Sequence, residues 1–223
     1  KIAIYSSNST VGFVNKTFSG RYLLKNGFKG IYLPNLYNNL NSQWISNLNK
    51  EKSVYIQNNH IKIALTGTSC LKKNHQNILS SSISNNQKFV FYIYGCKTKY
   101  LNYLLDNYPL VNIKFVNSNE IKIDEFIKTI DILLIQNIYE GFCRPVVHAL
   151  ANKKIVLAPE AEIYREFYND CLLYYDSNKK LTSLIKNILN YNLNFLKSEI
   201  DSLKKIKNFF SQLVSSSNEA SLS

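Results

Sequence analysis

Short apolar runs alternate with amphipathic stretches from Ile61 onward, at the spacing of strands joined by helices. The pattern predicts six strands, at Ile61–Leu65, Phe89–Tyr94, Val111–Val116, Ile132–Ile135, Ile155–Leu157 and Leu172–Tyr174. The helices predicted after them are Asn74–Ser82, Lys99–Asn107, Ile123–Lys128, Pro145–Asn152, Glu162–Phe167 and Leu181–Leu193. Because strands that alternate with helices form parallel sheets, we expect an α/β fold with a doubly wound parallel sheet.

The two ends of the chain show weaker patterns. We predict a strand at Lys1–Tyr5, a helix at Ser9–Phe18 and a strand at Gly30–Leu33, followed by a polar connection over Asn35–Asn59. A last helix is predicted at Leu196–Val214, with an apolar stripe that we expect to pack against the domain; contact with a membrane surface is the alternative.

A polar loop follows the apolar run that ends at Ile135, and Pro145 then marks a helix start. The amides of Phe142, Cys143 and Arg144 are therefore expected at or just before a helix N-terminus. Unpaired N–H groups and the helix dipole make such a terminus suited to a phosphate. This order of strand, loop and helix predicts a ligand site at the carboxyl edge of the sheet.

The segment E-G-F-x-R-P-V-x-x-A-x-A, from Glu140 to Ala151, carries a specific resemblance. With the later Tyr164-Arg165-Glu166 and D-C-L-x-Y-x-D segments, and the upstream Ile31–Asn35, it resembles the donor-binding half of a family 4 glycosyltransferase (glycosyl transferases group 1). The resemblance implies a retaining enzyme of the GT-B fold, which pairs two Rossmann-like domains. By this reading residues 61–195 are the donor-binding domain. Residues 1–60 are the tail of an N-terminal acceptor domain with its connection, and residues 196–223 are a final helix and a disordered tail.

The resemblance also implies roles for single residues. Glu140 matches the glutamate that contacts the donor sugar, and the loop residues after it, Gly141, Phe142, Cys143 and Arg144, are expected at the donor. His148 stands where the family has a second glutamate, which holds the ribose; a histidine can still hydrogen-bond a hydroxyl.

An earlier loop resembles the pyrophosphate loop of the family. Gly67 is expected to allow close backbone approach, and Lys73 matches the family's lysine. Thr68 occupies the position of an arginine in the family, which would either lower the affinity for the donor or shift the phosphate contact to Lys72 or Arg144. The Tyr164-Arg165-Glu166 segment, which matches a family feature, is expected to order the loop by ion pairing rather than to contact the substrate.

The base of a nucleotide is expected near Gly95 and Asn117, because both follow strands that end at the same crevice. No metal is expected, since no Asp-x-Asp element occurs and the four cysteines are far apart without a C-x-x-C pair.

The net charge of +12 has two readings. Abundant Asn, Lys, Ile and Tyr are typical of coding bias in AT-rich genomes. The functional reading is attraction to a phosphorylated donor or to an anionic membrane surface, whereas no nucleic-acid motif is present. Without a long apolar run or a signal peptide, a cytoplasmic protein, peripheral on the membrane at most, is expected.

The resemblance implies a hexosyl-type glycosyltransferase, or a fragment of one that is incomplete without an N-terminal domain. It would move a sugar from a nucleotide-diphosphate donor to a glycan or lipid-linked acceptor with retention, in cell-surface polysaccharide synthesis. The alternative is a non-catalytic nucleotide-sugar-binding or partner module of the same fold, which the departures at Thr68 and His148 favour.

Overall fold

The structure is a computed structural model that describes residues 10–13, 29–32, 60–81, 83–84, 86–140, 143–168 and 171–190. Near the N-terminus, β1 (Thr10–Phe13) pairs in parallel with β2 (Lys29–Tyr32), and Thr10 lies opposite Lys29. The predicted strand at Gly30–Leu33 is confirmed within one residue.

The predicted helix at Ser9–Phe18 is wrong at residues 10–13, which form β1. Thr10 and Val11 are β-branched residues that favour strands, and a parallel partner satisfies their backbone groups. The predictions for Lys1–Tyr5, Asn35–Asn59 and Leu196–Val214 lie outside the described residues.

The main sheet confirms the predicted fold class. It has six parallel strands in the order β5-β4-β3-β6-β7-β8. These strands are β3 (Ile61–Thr66), β4 (Phe89–Gly95), β5 (Ile113–Asn117), β6 (Ile132–Leu134), β7 (Ile155–Pro159) and β8 (Leu173–Tyr175). Each lies within two residues of its predicted bounds.

Helices follow the strands as predicted. They are α1 (His75–Leu79), α2 (Lys99–Asn107), α3 (Ile123–Thr129), α4 (Arg144–Ala151), α5 (Glu162–Tyr168) and α6 (Asn178–Asn190), and a 3-10 helix (Leu71–Lys73) precedes α1. The start of α1 falls at His75 because Asn74 has a left-handed φ of 58°. The start of α6 lies three residues earlier than predicted, where the Ser177 hydroxyl accepts a hydrogen bond from the Lys180 amide.

The core forms one layer on each face of the sheet. Successive strand residues point to opposite faces, so Ile63 packs in the layer with α1, α2 and α6, whereas Ala64 packs in the layer with α3, α4 and α5. Both residues are fully buried. Burial on both faces explains why these strands are nearly continuous apolar runs.

The strand order reverses between β3 and β6. The chain leaves β3 toward β4 on one side and leaves β6 toward β7 on the other. Such a reversal opens a crevice at the carboxyl ends of the two strands, which is where open α/β sheets bind ligands. None of the helices described here combines the length and apolar character needed to cross a bilayer.

Candidate functional site

Two adjoining spaces open at this reversal of strand order. The inner cavity, of about 290 Å³, lies between Thr66 at the end of β3 and the segment after β6, and Lys73, Glu140 and the start of α4 also line it. The outer cleft, of about 910 Å³, shares Thr66 and Lys73 with it and extends past the end of β4 to α3. Together they form one candidate ligand site.

Most of the predicted site residues meet here. Those that line the inner cavity are Lys73, Glu140, Cys143 and Arg144. Those that line the outer cleft are Gly67, Thr68, Lys73, Gly95, Arg144 and His148. Gly141 and Phe142 lie outside the described residues.

Asn117 does not line either space. Its side-chain amide donates to Glu120 at 2.7 Å, and its side-chain oxygen accepts from the Asn119 amide at 3.1 Å, so it caps the turn after β5. The neighbouring Ser118 lines the outer cleft instead. The sequence placed the strand end at the crevice but could not show that the turn uses the asparagine side chain.

Lys73 and Glu140 join the two loops of the site. The Lys73 ammonium donates to Glu140 at 2.5 Å, and the Asn137 amide donates to the same carboxylate oxygen at 3.0 Å. Both charged side chains are about a quarter exposed or less, so water screens the pair only partly. An ammonium has three N–H donors, and one ion pair therefore does not exhaust its capacity for an anion.

Gly67 and His75 position Lys73. Gly67 has a φ of +89°, and a Cβ there would lie 2.8 Å from the Lys73 Cε, so the lysine stem lies directly over the glycine backbone. The His75 ring nitrogen Nε2 donates to the Gly67 carbonyl at 2.7 Å. Burial lowers the pKa of His75 to about 4, so the ring is neutral near pH 7. With the proton on Nε2, the other nitrogen, Nδ1, is an acceptor.

Thr68 connects the loops after β3 and β4. Its hydroxyl donates to the Cys96 carbonyl at 2.6 Å, and its own carbonyl accepts from the Thr98 hydroxyl at 2.5 Å. A Cβ on Gly95 would lie 2.5 Å from the Thr68 hydroxyl oxygen, so only glycine fits beside it. The residue in the arginine position therefore supports the loop structure, and its hydroxyl is already paired.

Two residues were expected to compensate for the missing arginine. Lys72 is exposed and does not line either space, whereas Arg144 lines both. The geometry favours Arg144.

The start of α4 is built as the sequence predicts. The helix begins at Arg144 with Pro145 in its first turn, one residue before the predicted start. Cys143 precedes it with a left-handed φ of 49°. Burial, reinforced by the charge of Glu140, raises the pKa of the Cys143 thiol to about 12, so the thiol is neutral and is not a nucleophile near pH 7.

Three buried tyrosines hold the loop that carries Glu140. Their hydroxyls donate to carbonyls of the β6–α4 segment: Tyr175 to Ile135 at 2.6 Å, Tyr164 to Asn137 at 2.5 Å and Tyr168 to Cys143 at 3.2 Å. Burial raises the pKa of all three hydroxyls well above 10, so they remain protonated donors.

The Tyr164-Arg165-Glu166 segment forms an ion pair, because Arg165 pairs with Glu160 at 2.6 Å in the turn before α5. Tyr164 contacts the loop that carries Glu140 through a hydrogen bond.

His148 is buried on α4, and its Nδ1 pairs with the carboxylate of Asp124 on α3. Burial lowers the pKa of His148 and outweighs the opposing effect of Asp124, so the neutral ring donates from Nδ1. Asp124 lines the outer cleft together with His148. Asp124 carries no distinctive signal in the sequence, because an acid in a first helical turn is also an ordinary dipole partner.

Gln136 is a second residue that sequence analysis did not single out. It follows β6, lines the inner cavity and is only 6% exposed. A polar residue after the apolar run Ile132–Ile135 was the available signal. In the described part of the chain, no three His, Cys, Asp or Glu side chains cluster as metal ligands would.

Comparisons with known proteins agree with this architecture. The chain resembles HepE (Alr3699) of Anabaena, solved with UDP and glucose, with a TM-score of 0.70 and 15% identity over 95% of this chain and 62% of HepE. It also resembles a glycosyltransferase of Rickettsia africae, with a TM-score of 0.65 and 19% identity over 93% of this chain and 59% of the other. A third similar structure is WaaG, a glycosyltransferase involved in lipopolysaccharide biosynthesis. Its TM-score is 0.60, with 11% identity over 90% of this chain and 58% of WaaG.

At these identities the likeness shows the fold alone, a Rossmann-like half of the GT-B type as predicted. The chain spans less than two thirds of the length of these three proteins. The comparison with curated proteins gave no significant match.

A family profile gives the remaining finding. The profile of glycosyl transferases group 1 matches residues 46–198, which include the whole six-stranded sheet and the loops of the candidate site. This match covers more than half of the sequence. The chain therefore belongs to the glycosyl transferases group 1 family.

Proposed function

We propose that this chain binds a nucleotide-diphosphate sugar and serves its transfer to a glycan or lipid-linked acceptor, with retention, as in family 4 glycosyltransferases. The observation that carries the proposal is the meeting of Lys73, Glu140 and the start of α4 around one cavity where the strand order reverses. HepE, which shares the fold, was solved with UDP and glucose, and this supports a donor of the same class.

The diphosphate is assigned to Lys73, to the Arg144 side chain and to the backbone amides of Cys143 and Arg144 at the start of α4. Two cationic side chains and a helix N-terminus then neutralise the charge that develops on the departing diphosphate. No metal is needed for this role in the proposed reaction.

The sugar is assigned to Glu140. A carboxylate beside the anomeric carbon accepts hydrogen bonds from sugar hydroxyls and favours positive charge developing at that carbon. Its pairing with Lys73 supports adjacent positions for the sugar and the diphosphate, as a sugar–phosphate bond requires.

The nucleoside is assigned to the outer cleft. Gly95 lines this cleft, and Ser118 takes the position expected for Asn117. The His148–Asp124 pair supplies a carboxylate in the cleft, so Asp124 can accept from a ribose hydroxyl while His148 orients it.

The proposal extends to the whole protein. Residues 61–195 act as the donor-binding unit, and residues 1–60 belong to an acceptor domain. The enzyme acts in cell-surface polysaccharide synthesis in the cytoplasm, and its net charge of +12 suits contact with an anionic membrane surface. Hexosyl transfer is proposed because HepE, which shares the fold, was solved with UDP and glucose.

Calorimetry of the 223-residue chain tests the phosphate site. UDP, GDP and ADP, each compared with its nucleoside and with chelator present, are the ligands. Lys73→Ala should weaken binding of the preferred diphosphate by about 1–2 kcal/mol, the worth of a charge-assisted contact. Lys72→Ala is the matched control, because Lys72 is the exposed neighbour outside both spaces. Equal affinity for nucleoside and diphosphate would contradict the assignment.

The second candidate function is a non-catalytic nucleotide-sugar-binding module. It is favoured by Thr68, whose hydroxyl is paired within the loops, and by His148 in place of a glutamate. Such a module would bind the same nucleotides, but even the protein at its natural length would transfer no sugar from them.

A further inference from the structure

Gln136 is an anomaly in the wall of the inner cavity. It is 6% exposed, and neither its amide nitrogen nor its amide oxygen has a hydrogen-bond partner among the described residues. Buried polar atoms in proteins are nearly always paired, since an unpaired one lowers stability. An unpaired amide that lines a cavity therefore indicates a partner that the chain itself does not supply.

The backbone around Gln136 is held from both sides. The Ile135 amide donates to the Leu157 carbonyl at 2.9 Å, and the Ile135 and Asn137 carbonyls accept from the two buried tyrosines Tyr175 and Tyr164. The segment thus keeps the glutamine at the cavity wall even though its amide is unpaired there. Such preorganisation is typical of a residue that binds a ligand.

His75 adds a second unpaired group to the same cavity wall. Its Nδ1 is buried without a partner in the described part of the chain, and the proton on Nε2 makes Nδ1 an acceptor. The wall of the inner cavity therefore offers two unpaired acceptors, the Gln136 oxygen and the His75 nitrogen, and one unpaired donor group, the Gln136 NH₂.

The balance of donors and acceptors selects the ligand chemistry. A phosphate or carboxylate group supplies acceptors only, so it would leave both wall acceptors unpaired and would be repelled by them. A hydroxyl both donates and accepts, so neighbouring hydroxyls can satisfy all three groups. The group that fits this wall is therefore uncharged and carries several neighbouring hydroxyls.

We infer that Gln136 is a specificity-determining residue that binds hydroxyl groups of the donor's sugar in the inner cavity. The inference rests on the proposed function, because it places the sugar beside Glu140 and the diphosphate at Lys73. A site built to hydrogen-bond hydroxyls discriminates strongly against ligands that lack them, since its buried groups are then left unpaired.

The test compares ligands with and without the sugar. Affinities of the full chain for UDP and UDP-glucose, and for GDP and GDP-mannose, are measured by calorimetry in wild type and in Gln136→Leu, which removes the donor and the acceptor. Gln136→Met is the second variant, in case the branched side chain does not fit. Gln87→Leu, at an exposed glutamine in the turn before β4, is the matched control.

We expect Gln136→Leu to weaken binding of the preferred nucleotide sugar at least fivefold, while the affinity for its diphosphate changes less than twofold. The melting temperature should stay the same or rise, because a buried unpaired amide has been removed. An unchanged ratio of the two affinities, as expected if only water fills the cavity, overturns the inference and leaves the proposed function standing. If wild type binds none of the diphosphates, the proposed function itself fails, and the inference fails with it.

Discussion

Replacing His75 with glutamine tests how the loop after β3 is held and gives the protein a defined response to acid. The His75 ring lies against Tyr100, with centroids 5.9 Å apart, and donates to the Gly67 carbonyl at 2.7 Å. Burial, with a smaller effect from the charge of Lys73, lowers the pKa of His75 from 6.5 to about 4. Because the unfolded chain binds this proton more readily, the free energy of unfolding falls as the pH falls from 6.5 toward 4.

The size of the effect follows from the two pKa values. At about 1.4 kcal/mol per pH unit, the whole window between 6.5 and 4 corresponds to about 3 kcal/mol. Between pH 7 and pH 5 the loss is about 2 kcal/mol, since the folded ring is still largely unprotonated at pH 5. Burial lowers the pKa of His148 as well, and this adds a loss of the same sign.

Urea unfolding at pH 7 and pH 5 measures this loss directly. Glutamine keeps a side-chain N–H for the Gly67 carbonyl but does not titrate, so His75→Gln should lose about 2 kcal/mol less than wild type between the two pH values. His60→Gln, at an exposed histidine, is the control and should behave as wild type. If His75→Gln and wild type lose the same stability, the ring does not titrate as its burial requires and the reasoning is refuted.

Two further predictions concern the site. In the protein at its natural length, Glu140→Gln should cut sugar transfer about tenfold or more without weakening diphosphate binding. The reason is that the carboxylate is assigned to the sugar and Lys73 to the diphosphate. Full activity in a transfer assay would remove the role given to Glu140. Gly95→Ala should lower the free energy of unfolding by about 1–3 kcal/mol, because its Cβ would meet the Thr68 hydroxyl oxygen at 2.5 Å. Urea unfolding of the double variant with Thr68→Ala should show less than the sum of the single losses, and strict additivity would count against this contact.

The local pattern of apolar and polar residues was sufficient to predict the strands of the main sheet. The apolar runs that became β3, β4, β6, β7 and β8 are largely buried on both faces, so most residues in them are apolar and the signal is strong. The edge strand β5 is only partly buried. Both ends of α2 fell where the sequence predicted, with the Thr98 hydroxyl accepting from the Leu101 amide at its start. The prediction failed at Thr10–Phe13, where a short segment carries little periodicity and pairing with β2 determines the structure.

The motif and the spacing of the strands were also sufficient to predict that most candidate site residues lie in one crevice. Lys73 follows β3, whereas Glu140 and Arg144 follow β6, and parallel strands that end at one edge carry their loops to the same crevice. The sequence alone could therefore predict the crevice and the chemistry of its charged residues.

Tertiary structure decided what each side chain does there. That Thr68 supports a neighbouring loop and that His148 pairs with Asp124 are contacts between groups without a sequence pattern that links them. The unpaired amide of Gln136 is of the same kind, because hydrogen-bond satisfaction is a property of the packed chain. Secondary structure follows from local periodicity, whereas the partners of a polar group follow from distances that exist only after the sheet has brought remote segments together.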